Sequence, residues 1–466
     1  MSDHKSPGKL RYLAFGFLGV ALFWAIVTHS LVAALVRIEP SYALMVRSDD
    51  PAALTALADR AIDASRRHQV PGGRTARFDF KGPTDTSNTP ALPSDTEEDA
   101  GRREDLRTWA SAILAQEPGN ARALLILGDL KRAAGEEQNA GALMRASAQR
   151  TLRDPVPHAW LINEAIKQKD WPLAVRHADV MMSMHERSIR PLTPLIAHLA
   201  ETQEASSVVQ DAVMNGPTWR TPFLAEMLNA ITDARTPLDL LLTLKETPKP
   251  PTTDELRTYL VFLIQRGFFD LAYYTWLQFL PPQQLAMVGP LFNGSFETQP
   301  SGLPFDWQLP VVGTAVVSIA RRPDKPSSRA LVVNFGHGRV ELGPTSQLLR
   351  LRPGRYRVSG EVMGEVLGRR SVRWRVTCLG KETRHVGESE MFVGEIKDWT
   401  AFALVIDVPE ADCAAQTLNL FLDARIPSER LVSGTIWFDE MSIRRETDIA
   451  SEASPGPAPQ SQPRQR

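Results

Sequence analysis

Cysteine is nearly absent from this chain, charge of one sign is absent, and so are the compact motifs of common reactions. Only Cys378 and Cys413 occur in 466 residues, which excludes a disulfide-dense fold and a cysteine-rich zinc module. Lysine and arginine number 53 against 54 aspartate and glutamate, a formal charge of −1, which argues against nucleic acid as a partner. No His-Glu-x-x-His, Gly-x-Ser-x-Gly or phosphate-binding Gly-Lys-Ser sequence is present. Gly336-His337-Gly338 lacks the third glycine and the helix of a dinucleotide site. His177 and His185 lie too far apart for one metal on adjacent helical turns, and nothing marks a pair of carboxylates for glycoside hydrolysis.

One long hydrophobic run is there. From Leu13 to Val36 no formal charge interrupts the chain, and a helix needs roughly 20 apolar residues to cross a bilayer. Lys5, Lys9 and Arg11 precede the run, while Arg37 and Arg47 follow it. That bias predicts a cytoplasmic N-terminus over 1–12, a transmembrane anchor over 13–36 and the remainder outside. The rival reading is a cleaved signal peptide with Val32-Ala33-Ala34 as processing site, although signal h-regions are typically about 7–15 residues. Either reading exports residues 38–466.

Residues 37–287 carry a helical period. With Ala121 as position 1, Leu124, Leu127 and Gly128 face inward from a first helix and Ala140 and Met144 from a second. The next stretch, from Pro155, repeats this with Leu161, Ala165, Ala174 and Ala178, so that Ala140 and Ala174 stand 34 apart. A weaker stretch begins near Ile189, and one near Thr253 recovers the pattern with Leu256, Leu260, Leu263, Ala272 and Trp276. Small residues let antiparallel helices approach, and large ones fill the gap. This region resembles tetratricopeptide repeats, helix–turn–helix units of 34 residues that stack into a solenoid. The resemblance implies a protein partner held by the repeats; a generic helical bundle is the alternative. Asp50 and Pro51 open an earlier helix over 51–67, whose partner is expected at 102–116. Between them, 69–101 is rich in Pro, Gly, Thr, Ser and Asp and reads as a flexible insertion.

Over 288–446 the period changes to alternation. Tyr356, Val358 and Val362 alternate with Arg355, Arg357 and Glu361; Val372, Trp374, Val376 and Cys378 alternate with Arg373, Arg375 and Thr377. Leu418, Leu420 and Leu422 share one parity. Short strands with one wet and one dry face predict an antiparallel β-sandwich. Cys378 has inward parity and Cys413 sits in a loop before the next strand, so a disulfide between them is expected in an oxidising compartment. If the strands carrying Arg355 and Arg357 and those carrying Arg373 and Arg375 are neighbours, the four make a basic stripe suited to an acidic polymer; a solvated face with paired arginines is the alternative. Residues 447–466 read as a disordered tail.

Asn293-Gly294-Ser295-Phe296-Glu297, Pro304-Phe305-Asp306-Trp307 and Gly434-Thr435-Ile436-Trp437-Phe438-Asp439-Glu440 carry a second resemblance. They are similar to the first and last strands of galactose-binding-like jelly rolls, the fold of many carbohydrate-binding modules. The resemblance implies sugar recognition, with Glu297 and Asp439 helping to hold a structural calcium. Of the tryptophans, Trp374 and Trp307 read as packing residues, while Trp399 is the candidate sugar platform. The whole predicts a bacterial inner-membrane protein with its bulk in the periplasm: a single transmembrane helix, a tetratricopeptide-like α-helical solenoid and a C-terminal jelly roll. The expected role is non-catalytic, an adaptor or assembly protein in cell-envelope or exopolysaccharide biogenesis that binds a protein partner and polysaccharide. A glycan-active enzyme with an interdomain site, or a purely structural protein, are the alternatives.

Overall fold

A computed structural model of the chain describes residues 8–69, 97–310, 313–336 and 338–446. The expected tail at 447–466 and residues 70–96 of the expected insertion lie outside them. The chain divides into two compact units, Met1–Thr236 and Pro237–Arg466.

The first unit is helical: α1 (Gly8–Ile38), α2 (Pro40–Val46), α3 (Pro51–Gln69), α4 (Glu97–Gln116), α5 (Ala121–Ala133), α6 (Glu137–Ala148), α7 (Pro155–Lys167), α8 (Trp171–Met184), α9 (Ile189–Glu201), α10 (Ser206–Met214) and α11 (Arg220–Met227). Within α1, Phe17–Ile38 has mean hydropathy 2.0 and is long and apolar enough to cross a membrane. Val32, Leu35 and Val36 near its end pack with Ala43 and Ala53. Asp50 caps α3 by accepting from the Ala53 amide at 3.0 Å. Helices α3 and α4 share a core of Leu54, Ala58, Leu106, Ala110 and Ile113, as their apolar faces require. Helix α4 begins at Glu97 rather than near 102, because Glu97, Glu98 and Ala100 are good helix formers; this shortens the expected insertion.

Helices α5, α7 and α9 begin at 121, 155 and 189, a constant step of 34. Gly128 has no room to grow, since a Cβ there would stand 3.3 Å from Leu143 and Met144 of α6. Ala140, Ala174 and Ala178 are fully buried at the matching contacts. The spacing of small residues thus produces close antiparallel pairs.

His158 and His177 join α7 to α8. Their Nδ1 atoms are 3.0 Å apart, and His158 Nε2 is 3.2 Å from the Thr151 carbonyl. The carbonyl can only accept, so neutral His158 donates from Nε2 and accepts at Nδ1 from His177. Burial pushes both imidazoles down, His177 to about 4. His185 is not a partner in this pair and bonds the Arg153 carbonyl instead.

The second unit holds α12 (Thr236–Lys245, whose first residue closes the first unit), α13 (Thr253–Gln265), α14 (Phe269–Phe279) and α15 (Pro282–Leu285), then nine strands. These are β1 (Ala315–Arg321), β2 (Arg329–Phe335), β3 (Thr345–Leu349), β4 (Gly354–Leu367), β5 (Val372–Leu379), β6 (Arg384–Glu388), β7 (Gly394–Val408), β8 (Ala415–Leu422) and β9 (Ser433–Arg445). They form two antiparallel sheets, ordered β1-β2-β9-β4-β7 and β3-β8-β5-β6. Between the sheets Trp307, Trp374 and Phe438 form an edge-to-face chain with centroids 5.7 and 5.4 Å apart, all three buried. Trp307 donates to the Asn293 carbonyl at 3.0 Å. A Cβ at Gly294 would run into the Met441 carbonyl of β9, so glycine is required where the domain's first segment crosses its last strand.

The compact unit that holds the sandwich begins at Pro237, upstream of the 288 expected for the sandwich itself. The cause is aromatic packing. Trp276 of α14 meets Phe292 edge-on at 5.1 Å and Tyr273 meets Phe305 at 5.2 Å. Asp270 pairs with Arg350 at 2.6 Å, and Arg257 of α13 donates to the Gly302 and Ser301 carbonyls.

The histidine pair makes stability depend on pH. Unfolded histidine titrates near 6.5 and folded His177 near 4, so between these values the unfolded chain binds more protons. This contribution is complete above about pH 6.5 and is lost progressively as pH falls toward about 4. Denaturant midpoints at pH 7.5 and 5.0 should show a larger drop for the wild type than for His177→Asn, whose amide nitrogen takes the place of the Nδ1 donor and removes the titration. Equal drops would remove His177 as a source of acid sensitivity.

Candidate functional site

The outer face of the four-stranded sheet gathers polar residues around one aromatic ring. Inward parity on β5 takes Val372, Trp374, Val376 and Cys378, leaving Arg373, Arg375 and Thr377 outside. On β8 the outward residues are Thr417, Asn419 and Phe421, opposite Thr377, Arg375 and Arg373 respectively. The Arg375 guanidinium lies 3.7 Å from the Phe421 ring centroid and donates to Glu388 of β6 at 2.6 Å. Arg373 Nε lies 3.0 Å from Asp423. Thr377 Oγ1 is 3.0 Å from His385 Nδ1, while Asn419 Oδ1 is buried and has no hydrogen-bond partner among the described residues. The guanidinium closes that side of the Phe421 ring, as Arg322 closes Trp399, so a polyhydroxylated ring would meet the Arg375 plane and the bordering hydroxyl and carboxylate groups, with Phe421 holding the guanidinium flat.

The other sheet holds the remaining expected residues. The four arginines do not form one stripe: Arg355 and Arg357 are on β4, and Arg373 and Arg375 are on β5, in different sheets. Each also stands beside a carboxylate, Arg355 and Arg357 sharing Glu446 at 3.0 and 3.3 Å, Arg373 beside Asp423 and Arg375 beside Glu388. The alternation showed which face each arginine takes but not which strands are neighbours.

Trp399 lies within β7, at an irregularity where pairing to β4 shifts from Thr400 to Ile396. Its ring is covered by the Arg322 guanidinium, 3.9 Å from the centroid, so that side of the ring is closed to a sugar. Arg322 follows β1 and also donates to Asp324 at 3.1 and 2.9 Å and to Asp439 at 2.6 Å. Asp439 has no exposed surface. Burial pushes its carboxyl above the ordinary value, against the pull of Arg322. The hydrogen bonds from Arg322 hold Asp324 well below the usual carboxylate range, and those two carboxylates raise Arg322 in return.

Glu297 and Asp439 do not fit a shared calcium. Glu297 accepts from the Ser328 hydroxyl at 2.6 Å and the Arg329 amide at 3.2 Å, while Asp439 is bound to a guanidinium. No group of three or more His, Cys, Asp or Glu suited to a metal occurs among the described residues. Hard cations need six to eight oxygens, and here an arginine occupies the carboxylate.

Cys378 of β5 and Cys413 of the loop before β8 are joined as a disulfide, with Cα atoms 4.9 Å apart. The bridge fastens the end of β5 opposite the Arg373 end.

Two features escaped sequence reasoning. Phe421 is an apolar residue on the wet parity of β8, an exception to alternation that could have marked it. Arg322 and Asp324 left no local signal, because their partner Asp439 is more than a hundred residues away.

Among solved structures, about a third of the chain resembles carbohydrate-binding modules. A CBM4 domain is 14% identical, covering 33% of this chain and 99% of its own, with TM-score 0.25. A family 16 carbohydrate-binding module is 15% identical over 34% of this chain and 100% of its own, with TM-score 0.24. TmCBM61, solved in complex with β-1,4-galactotriose, is 18% identical over 34% of this chain and 99% of its own, with TM-score 0.24. No protein-family model matches the chain, and no curated protein matches it.

Arg322 should be a strong determinant of sandwich stability. Arg322→Ala leaves Asp439 buried without its counter-charge, a loss of about 3–5 kcal/mol. Adding Asp439→Asn should recover part of it, because the second charge goes too. Chemical denaturation of the two variants checks this; a single variant within about 0.5 kcal/mol of wild type would show that water replaces the guanidinium.

Proposed function

We propose that this protein is a membrane-anchored, extracytoplasmic, non-catalytic glycan-binding protein. The observation that carries the reading is the Arg375–Phe421 stack on the β8–β5–β6 face, with Thr417, Asn419, Thr377 and His385 around it. On this face Arg373 and Arg375 each have their own carboxylate, Asp423 and Glu388, which favours a neutral, hydroxyl-rich glycan over an acidic one. An arginine–carboxylate pair offers both donors and acceptors to hydroxyls. The earlier expectation of an acidic polymer assumed free arginines.

The apolar helix supports the anchor, and the 34-residue step of α5, α7 and α9 supports tetratricopeptide-like repeats that hold a protein partner. The combined role is an adaptor in cell-envelope or exopolysaccharide biogenesis. Alkaline phosphatase fused after Glu446 should be active in cells, with the protein retained in membranes after carbonate washing. An inactive fusion reverses the topology, and a soluble product means a cleaved signal.

Glycan binding is tested on the detergent-purified chain with an array of neutral and uronic-acid oligosaccharides. Phe421→Ala and Arg375→Ala should each weaken binding at least roughly tenfold, about 1.4 kcal/mol, with Arg355→Ala unaffected. Equal loss for all three, or none, moves the site elsewhere.

A further inference from the structure

The apolar helix α1 does not run out into a free linker. The Glu39 amide donates to the Leu35 carbonyl at 2.8 Å, Pro40 opens α2, and α2 packs on the end of α1. Ala43 is fully buried there in a cluster with Val32, Leu35 and Val36 of α1 and Ala53 of α3. Leu44 joins this cluster and the α3–α4 core as well. The inward side of α2 is thereby fixed against its own unit.

The outward side of α2 is apolar too. At about 3.6 residues per turn, Met45, Tyr42 and Val46 fall on one arc, opposite Ala43 and Leu44. Met45 is 81% exposed, Tyr42 54% and Val46 44%. A helix that is hydrophobic on both sides belongs in an apolar medium. Its place along α1 says which medium. Phe17–Ile38 counts 22 residues, about 33 Å of helix against about 30 Å of hydrocarbon. The turns that α2 packs on, Val32 to Val36, are the last of that run, so α2 stands where hydrocarbon gives way to headgroups. Leu31 and Ile38 of α1, on either side of those turns, are exposed and meet the same medium. Tyrosine suits this boundary, with its ring in the apolar layer and its hydroxyl toward water. The charges lie at the ends of α2: exposed Arg37 and Glu39 before it, Glu39 held by Arg60 at 2.7 Å, and Arg47 after it, 3.6 Å from Asp49.

We infer that α2 lies in the boundary layer of a bilayer, with Tyr42, Met45 and Val46 turned into lipid. The inference rests on the anchor reading, and the two are tested apart. Cys378 and Cys413 are bonded to each other, so an added cysteine is the one labelled site. Full-length Met45→Cys, Trp24→Cys and Gln138→Cys, each carrying an environment-sensitive nitrobenzoxadiazole label, are reconstituted into phosphatidylcholine vesicles. Position 24 is exposed within α1 and position 138 is exposed on α6. The label at 45 should emit to the blue of the label at 138 and several-fold more strongly. Lipid spin-labelled near the headgroup should quench it more than lipid spin-labelled at the chain end, with the reverse order at 24. A label at 45 as water-exposed as that at 138, while 24 is still quenched by lipid, overturns the inference and leaves the anchor. Loss of lipid quenching at both 24 and 45 removes the anchor and the inference together. A label at 45 that is blue-shifted but quenched by neither lipid is covered by protein, which also overturns the inference.

Discussion

A carboxylate with no exposed surface, on the last strand of a sandwich, has to be neutralised where it stands. Asp439 meets that constraint through Arg322, and much of the five-stranded sheet follows from it. The guanidinium reaches from the end of β1 to β9, takes Asp324 on a second edge and lies flat on Trp399 of β7. One planar cation thus ties both edge strands of the sheet to its centre, with directional bonds that a lysine could not reproduce. The same arrangement explains why Trp399 is a poor sugar platform and why the Glu297–Asp439 pair does not assemble as a cation site. Glu297 accepts from Ser328 and Asp439 from Arg322, so each carboxylate has a protein donor of its own.

Charge pairing recurs across the sandwich. Arg373 and Arg375 on one face and Arg355 and Arg357 on the other each stand beside a carboxylate. Exposed pairs of this sort contribute little to stability, with a median of about 0–1 kcal/mol. Their consequence is for recognition. On the β8–β5–β6 face Arg373 and Arg375 each have a carboxylate beside them, and Phe421 lies beneath Arg375 and holds its guanidinium flat. That combination distinguishes the β8–β5–β6 face from an electrostatic trap.

Legibility from sequence followed the range of the interactions. Helix starts set by local caps, such as Asp50 for α3, were readable, as were the buried alanines that let helix pairs close. Strand parity put Trp374, Val376 and Cys378 inside correctly, because period-two alternation is a local property. Strand adjacency is not local. Nothing in the alternation of β4 and β5 reveals that a sheet boundary falls between them, and the stripe inferred from neighbouring strands dissolved there. The His158–His177 contact was invisible for the same reason. Its members lie on facing helices, while the sequence drew attention to His185 on the same helix stretch.

The boundary between helical and β regions shows where composition misleads. The change from helical period to alternation occurs near 291, but a compact unit is closed by burial, not by secondary-structure type. Helix α14 presents Tyr273 and Trp276, and the sandwich presents Phe292 and Phe305 at the same place. Either side alone would expose several large rings, each worth up to about 3 kcal/mol of burial. The helical hairpin therefore packs on the sandwich through a small aromatic cluster beside the main core, and Asp270 pairs with Arg350 just after β3. Since β3 is the edge strand of the four-stranded sheet, the hairpin bounds the polar face on one side and leaves β6 as its open edge.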